Sequence, residues 1–165
     1  MKKFTILMLI CFLSVSFYRG HFGQTLLEPV PNAKIYYVDR QLHRLIPVEC
    51  YTGSDNAQKS AQKMLDELIL GQDSNSEILR TIPPIQNGLS ARIENRTAIV
   101  DISDELAAAH TVSPDNERLT IYQIVNSLTS IDGIDCVKFT IGGKTSKKFV
   151  GFVNMSEIFT PNYCL

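Results

Sequence analysis

The 165-residue sequence predicts an α+β fold, a two-layer sandwich with two long helices on one face of a mostly antiparallel sheet in the order ββαββαβ. Three observations predict it. Apolar residues recur with a period of two in short β-branched and aromatic segments, which marks half-buried strands. In two longer segments they recur at helical spacing as a single stripe, so each helix can bury one side only. Turn residues then punctuate the chain at Pro83-Pro84, Asn95-Arg96, Asp132-Gly133 and Gly142-Gly143.

The elements follow in order. Ile35-Tyr36-Tyr37-Val38-Asp39 reads as the first strand. Leu45 to Tyr51 reads as the second, with Ile46, Val48 and Cys50 on one face and Leu45, Pro47 and Glu49 on the other. Pro47 has no N–H to give to a ladder, which places this strand at a sheet edge or at a bulge. Ser54 is the expected N-cap of the first long helix, with Asp55 in its first turn. Ala57, Ala61, Met64, Leu65, Leu68 and Ile69 form its stripe and Gly71 closes it.

A polar stretch from Gln72 to Ser76 leads to the short apolar piece Ile78-Leu79 and then to Thr81-Ile82-Pro83-Pro84, through which no helix continues. Leu89, Ala91 and Ile93 alternate with Ser90, Arg92 and Glu94, and after Asn95-Arg96 the chain resumes as Thr97 to Ile102, a β-hairpin. Ser103-Asp104-Glu105 caps a brief helix ending at Ala109. Ser113-Pro114 opens the second long helix, whose stripe is Ile121, Ile124, Val125, Leu128 and Ile131 and which Asp132-Gly133 ends. Val137, Phe139 and Ile141 alternate with Cys136, Lys138 and Thr140 in a last strand, and Lys148 to Val153 could supply one more.

Composition narrows the function. With 16 Lys and Arg against 17 Asp and Glu the net charge is −1, without the basic excess that contact with a phosphate backbone needs, so nucleic acid is not an expected partner. Met1-Lys2-Lys3 precedes an uncharged, mostly apolar run from Phe4 to Tyr18, the arrangement of an export signal. Residues 1–23 are therefore expected to be a signal peptide or an N-terminal membrane anchor, residues 24–32 a spacer, and residues 33–161 a single domain. Small residues at Ser14 and Ser16 favour cleavage before Phe17; left uncleaved, the segment would tether the chain to the membrane. Ile10 ahead of Cys11 is a poor fit to a lipidation signal, and the three remaining cysteines, Cys50, Cys136 and Cys164, imply no disulfide framework.

No catalytic template fits well. His21, His43 and His110 share no motif, and no His-x-x-x-His or Cys-x-x-Cys pair suggests a metal site. A Cys50–His43 nucleophile pair has no geometric logic at its spacing, and Cys50 reads instead as a small buried thiol. Gly142-Gly143-Lys144-Thr145 has the end of a phosphate-binding loop without its first glycine or a following helix, and reads as a turn leaving a strand. Asp101, Asp104 and Glu105 lack calcium-loop spacing and read as helix-capping acids. Asn95-Arg96-Thr97 and Asn154-Met155-Ser156 match the glycosylation pattern. No residue is assigned a catalytic, cofactor-binding or metal-binding role, and no cofactor is expected.

Three blocks in register resemble the GerMN domain family of sporulation and spore germination proteins. They are Ile35 to Asp39 with Arg44 to Glu49, Thr97 to Ser103, and Tyr122 to Thr129 running into Gly133 to Phe139 with Gly142-Gly143-Lys144. The resemblance covers about residues 33–161. It implies a small α+β unit similar to ring-building motifs, in a lipoprotein or membrane-tethered protein acting outside the cytoplasmic membrane. The partners it implies are envelope or sporulation-complex proteins, or further copies of the chain, and it carries over no catalytic residue. Arg92, Glu94, Lys138 and Lys147 are outward groups of mixed sign that could serve such contacts. Two other readings remain open: a binding module for a small envelope ligand or cell-wall polymer, and an envelope hydrolase using Cys50 or a carboxylate pair.

Overall fold

A computed structural model describes residues 29–71, 77–146 and 148–165. The expected export segment and most of the spacer lie outside these residues, as do His21 and Lys147. Strands β1 (Ala33–Asp39) and β2 (Leu45–Cys50) form an antiparallel hairpin, followed by α1 (Ala57–Leu70) and the two-residue strand β3 (Ile78–Leu79). The hairpin β4 (Leu89–Glu94) and β5 (Thr97–Ile102) leads into α2 (Asp104–Ala109), α3 (Pro114–Thr129) and β6 (Cys136–Ile141). The α+β class is as expected. The strands, however, divide into two three-stranded sheets, β2-β1-β3 and β4-β5-β6, with β5 and β6 parallel across the α2–α3 crossover.

The division has a physical cause in two helices whose polar side chains occupy strand edges. β3 pairs only with Val38 and Asp39 of β1, which leaves the earlier part of β1 without a strand on that side. There Ser127 on α3 accepts a hydrogen bond from Tyr36 N–H at 2.8 Å, and Ser130 just past α3 accepts from Lys34 N–H at 2.8 Å and returns to the Lys34 carbonyl. Along β4, Gln58 and Gln62, one helical turn apart on α1, do the same. Gln58 bonds the Ala91 carbonyl at 2.6 Å and the Ile93 N–H at 2.9 Å, while Gln62 bonds the Leu89 carbonyl and the Ala91 N–H. An amide side chain carries both a donor and an acceptor, so it can stand in for a neighbouring strand.

Apolar burial joins the layers. Ala61, Met64, Leu65, Leu68 and Ile69 of α1 and Ile121, Ile124, Val125 and Leu128 of α3 enter one cluster with Ile35, Tyr37, Ala98, Val100, Ile102, Val137 and Phe139. Burying each leucine or phenylalanine side chain there contributes about 1.5–3 kcal/mol. Ala98, Ile99 and Val100 of β5 are buried on both faces of the sheet, so this run is apolar without alternation. The other face of β1 sends Tyr36 and Val38 into a smaller cluster with Leu45 and Leu119.

Several boundaries shift from the sequence reading. The N-cap of α1 is Asn56, whose side chain accepts from Lys59 N–H, while Ser54 accepts from Asn56 N–H in the turn before it. Asp55 therefore precedes the helix. Gly71 ends α1 as expected, in the left-handed region at φ 66°, and Arg80 adds bonds to the free carbonyls of Ile69 and Leu70. α3 stops at Thr129, before Asp132-Gly133, with Ser130 as its C-cap still in helical conformation; Ile131 remains buried in the tight turn beyond. The stretch from Lys148 to Val153 is a strap closed by a single bridge, Lys148 to Asn154, and no strand. Its neighbour Phe159 pairs with Val137 on the outer side of β6, and the chain packs on through Asn162, held by Asn126, to Leu165, whose carbonyl accepts Leu45 N–H.

Candidate functional site

The fold separates the residues that chemistry would have to bring together. His43 sits in the exposed β1–β2 turn at φ 47°, while Cys50 pairs with Ala33 at the far end of the same hairpin. Cys50 is half-buried, and burial pushes its thiol above the ordinary range, with smaller opposing pulls from the Ile35 backbone and Lys63. A raised thiol pKa makes a weak nucleophile. Asp101 is committed to structure. Its Oδ1 accepts from Thr140 Oγ1 at 2.6 Å and from Gly143 N–H at 2.7 Å. Gly142 and Gly143, at φ 54° and 75°, make the turn that rejoins Ile141 to Lys144, the role expected of them. Asp104 lies against Gly142 in the first turn of α2, and Glu105 is exposed beside it.

Among the described residues no group of three His, Cys, Asp or Glu side chains is placed to hold a metal ion. Of the outward residues, Arg92 and Glu94 neutralise each other at 2.8 Å on the surface of β4, and Lys138 is half-buried. Arg96 at the hairpin tip forms a two-bond pair with Asp135, whose carboxyl it holds below the usual range. Asn154 of the second glycosylation pattern spends its side-chain amide on Glu157 at 2.8 Å.

A groove of about 280 Å³ opens between the hairpin and α1, lined by Ile35, Val48, Cys50, Tyr51, Lys63 and Met64. Glu49 and Glu67 also border this mainly apolar groove, and Lys63 is turned aside to the Tyr51 carbonyl at 3.1 Å.

Two residues to which the sequence assigns no role carry the polar organisation of the C-terminal half. Glu117, in the first turn of α3, is fully buried and accepts hydrogen bonds from the N–H groups of Val150, Phe152 and Val153. His110, the C-cap of α2, is 4% exposed, bonds Thr120 Oγ1 through Nε2 at 2.9 Å and packs on Phe149 with ring centroids 4.8 Å apart. Burial pulls its pKa below the ordinary histidine value, against the Thr111 backbone and the charge of Glu117. Asp115 and Glu117 make the first turn of α3 acidic. Nothing in it distinguishes a buried clasp from a solvated cap.

The family model for sporulation and spore germination proteins, Germane, matches residues 34–147, well over half of the chain. The chain belongs to this family. A search of curated proteins finds no match. Among solved structures, the first GerMN domain of the sporulation protein GerM from Bacillus subtilis is similar at 20% identity and a TM-score of 0.56, covering 78% of this chain and 96% of that one. A protein provisionally named a lipoprotein, from Clostridium perfringens, is similar at 21% identity and a TM-score of 0.57, covering 77% and 85%. The tandem GerMN domains of the same Bacillus protein match at 17% identity and a TM-score of 0.55; this chain spans 46% of that pair. At these identities the likeness is one of fold.

The GerMN fold here has most of its strand edges closed by its own residues. Ser127 and Ser130 close β1, Gln58 and Gln62 close β4, and Phe159 pairs along β6. On β2 the Asp39 N–H bonds the Arg44 carbonyl, so in the antiparallel alternation Tyr36 and Pro47 are a non-hydrogen-bonded pair and the Pro47 nitrogen faces outward, where it has no proton to offer. Leu45 N–H, which also faces outward, is taken by Leu165. Addition of a partner's strand is thereby disfavoured at β1, β4 and β6 and along the first part of β2. What the domain presents to its surroundings is preformed faces. Among the described residues no helix is long and apolar enough to cross a membrane.

Proposed function

We propose that this chain is a non-enzymatic domain that assembles or positions a protein complex of the cell envelope, outside the cytoplasmic membrane, in sporulation or spore germination. Membership of the GerMN family carries the reading. The physical support is that polar side chains are spent on closing edges and fixing turns, as Asp101, Glu117, Gln58 and Gln62 are. A unit so closed associates through its faces, and two different faces meeting head to tail give a ring when the rotation closes. The N-terminal segment, residues 1–23, delivers the chain across the membrane and holds it there if uncleaved. Partners are envelope proteins of the sporulation complex or further copies of this chain.

In-cell cross-linking, followed by sizing of the membrane fraction, tests this. Cross-linked envelope partners or ordered multimers are expected. A strictly monomeric protein with no envelope partner at any growth stage would overturn it.

The groove beside Cys50 favours a second reading, a binding module for a small apolar envelope ligand. Wall fragments and lipids titrated against the full chain, with Tyr51 and Met64 resonances as reporters, discriminate the two. Saturable shifts confined to the groove support the module; no response returns the argument to assembly.

A further inference from the structure

The strap, residues 148–155, is tied down at two points. At the first, Glu117 Oε1 accepts from Val150, Phe152 and Val153 at 3.2, 3.3 and 2.9 Å, and Oε2 accepts from Phe152 at 3.1 Å. At the second, Phe149 covers the ring of His110. Thr120 gives its hydroxyl proton to the Thr81 carbonyl and so meets His110 as an acceptor, which places the histidine proton on Nε2. Nδ1 is then a bare lone pair, buried and with no hydrogen-bond partner.

A proton added at Nδ1, which has no hydrogen-bond partner, would create a buried charged donor beside an apolar ring, where burial outweighs the opposing pull of the Thr111 backbone and Glu117. The cost of leaving such a group unsatisfied is relieved by water, and water reaches it only if Phe149 moves. Glu117 on α3 is the charged group that acts on the ring, and its carboxylate is already committed to the strap amides. Lys148 on the strap is exposed, while Thr81, Thr111, Thr120 and Phe149 carry no charge.

We infer that the strap is an acid-sensitive latch, which proton uptake by His110 opens to bare Phe149 and Met155 over α3. Both side chains are buried in the closed form, at 7% and 0% exposure. The inference does not depend on the proposed function. Its direction follows from linkage: the closed form holds His110 neutral with a lowered pKa, so the open form binds the extra proton. Closure is complete above the ordinary histidine value of about 6.5 and is lost as pH falls below it, until the closed-state value is passed.

Amide hydrogen exchange on the full-length protein, corrected for the intrinsic pH dependence, tests the latch. Protection at Val150, Phe152 and Val153 should fall by up to about tenfold per pH unit below about pH 6.5, while Ala98 and Val100 in β5 stay protected. In His110→Gln, whose amide can still donate to Thr120, that pH dependence should vanish. Strap protection that is flat in the wild type, or a slope that survives in His110→Gln, would overturn the inference. If the variant does not fold, the wild-type His110 ring titration decides. A midpoint below 6.5 that coincides with strap opening supports the latch, and an ordinary midpoint with strap protection unmoved removes it.

Discussion

The layer between α1 and α3 and the strap that follows β6 both bury apolar side chains, yet they cohere differently. In the layer, Leu65, Ile121, Leu128, Val137 and Phe139 interlock with exposures of 0%, and the stabilisation is non-directional, so any residue of similar volume and polarity would serve in part. In the strap, Phe149 and Met155 are buried too, but the backbone is placed by one carboxylate accepting from three amides. That arrangement is directional, and removal of one side chain abolishes it. The difference teaches that burying a side chain does not by itself make a region robust, and substitutions can expose the contrast.

The largest effect is expected in the layer. Leu65→Asp or Val137→Asp places an unpaired charge where exposure is 0%, at a cost of several kcal/mol against a total stability of roughly 5–15 kcal/mol. Loss of the cooperative thermal transition is the expected outcome. A cooperative melt in either variant would show that the layer yields to water more readily than its packing implies. Glu117→Ala should come next, costing about 3 kcal/mol through the amides it orphans. Here the loss should be local: exchange at Val150, Phe152 and Val153 accelerates while β5 stays protected. Equal acceleration in both regions would mean that strap and layer form one cooperative unit and that the distinction drawn between them fails.

A smaller loss separates the two ways of closing an edge. Gln58→Ala and Gln62→Ala each remove a donor–acceptor pair from β4 at a cost of about 1 kcal/mol, lower than for Glu117 because water can reach the vacated groups. Chemical denaturation should show the shift in midpoint, and amide exchange at Ala91 and Ile93 should rise. No change at those two amides would assign the sealing of β4 to some other contact.

The layer was legible in the sequence because its forces are periodic. Helical spacing located the stripes of α1 and α3, alternation located β4 and β6, and Pro47 marked β2 as an edge. The division into two sheets was not legible. It depends on Gln58, Gln62, Ser127 and Ser130, polar residues on helices, which pattern reading assigns to solvent by default. Their partners lie 29 and 91 positions away in the Gln62–Ala91 and Ser127–Tyr36 pairs, beyond any local signal. The same holds for Glu117, whose acidic first-turn position is equally favourable whether the carboxylate faces water or the amides of residues 150–153. His110 shares the problem, since Phe149, which buries it, follows 39 residues later.

The smallest energetic change is the most informative about the outer edge. Pro47→Thr at β2 restores an outward N–H beside that of Glu49, in a strand whose outer face is exposed. Threonine suits a strand better than proline does, while the unfolded chain gains freedom that proline denied it. These terms oppose each other, and stability should stay within about 0.5 kcal/mol of the wild type. Association should change instead. The wild-type edge offers a partner strand carbonyls but little else, because Leu45 N–H is held by Leu165 and Pro47 has none. With the donor restored, two outward amides two residues apart match the spacing of an antiparallel ladder, and edge-to-edge pairing becomes available. Sizing across a concentration series should show more self-association for Pro47→Thr than for the wild type, at an unchanged melting temperature. If the two proteins size identically, the Leu165 contact alone closes β2. Truncation of the last residue should then release what the proline substitution did not.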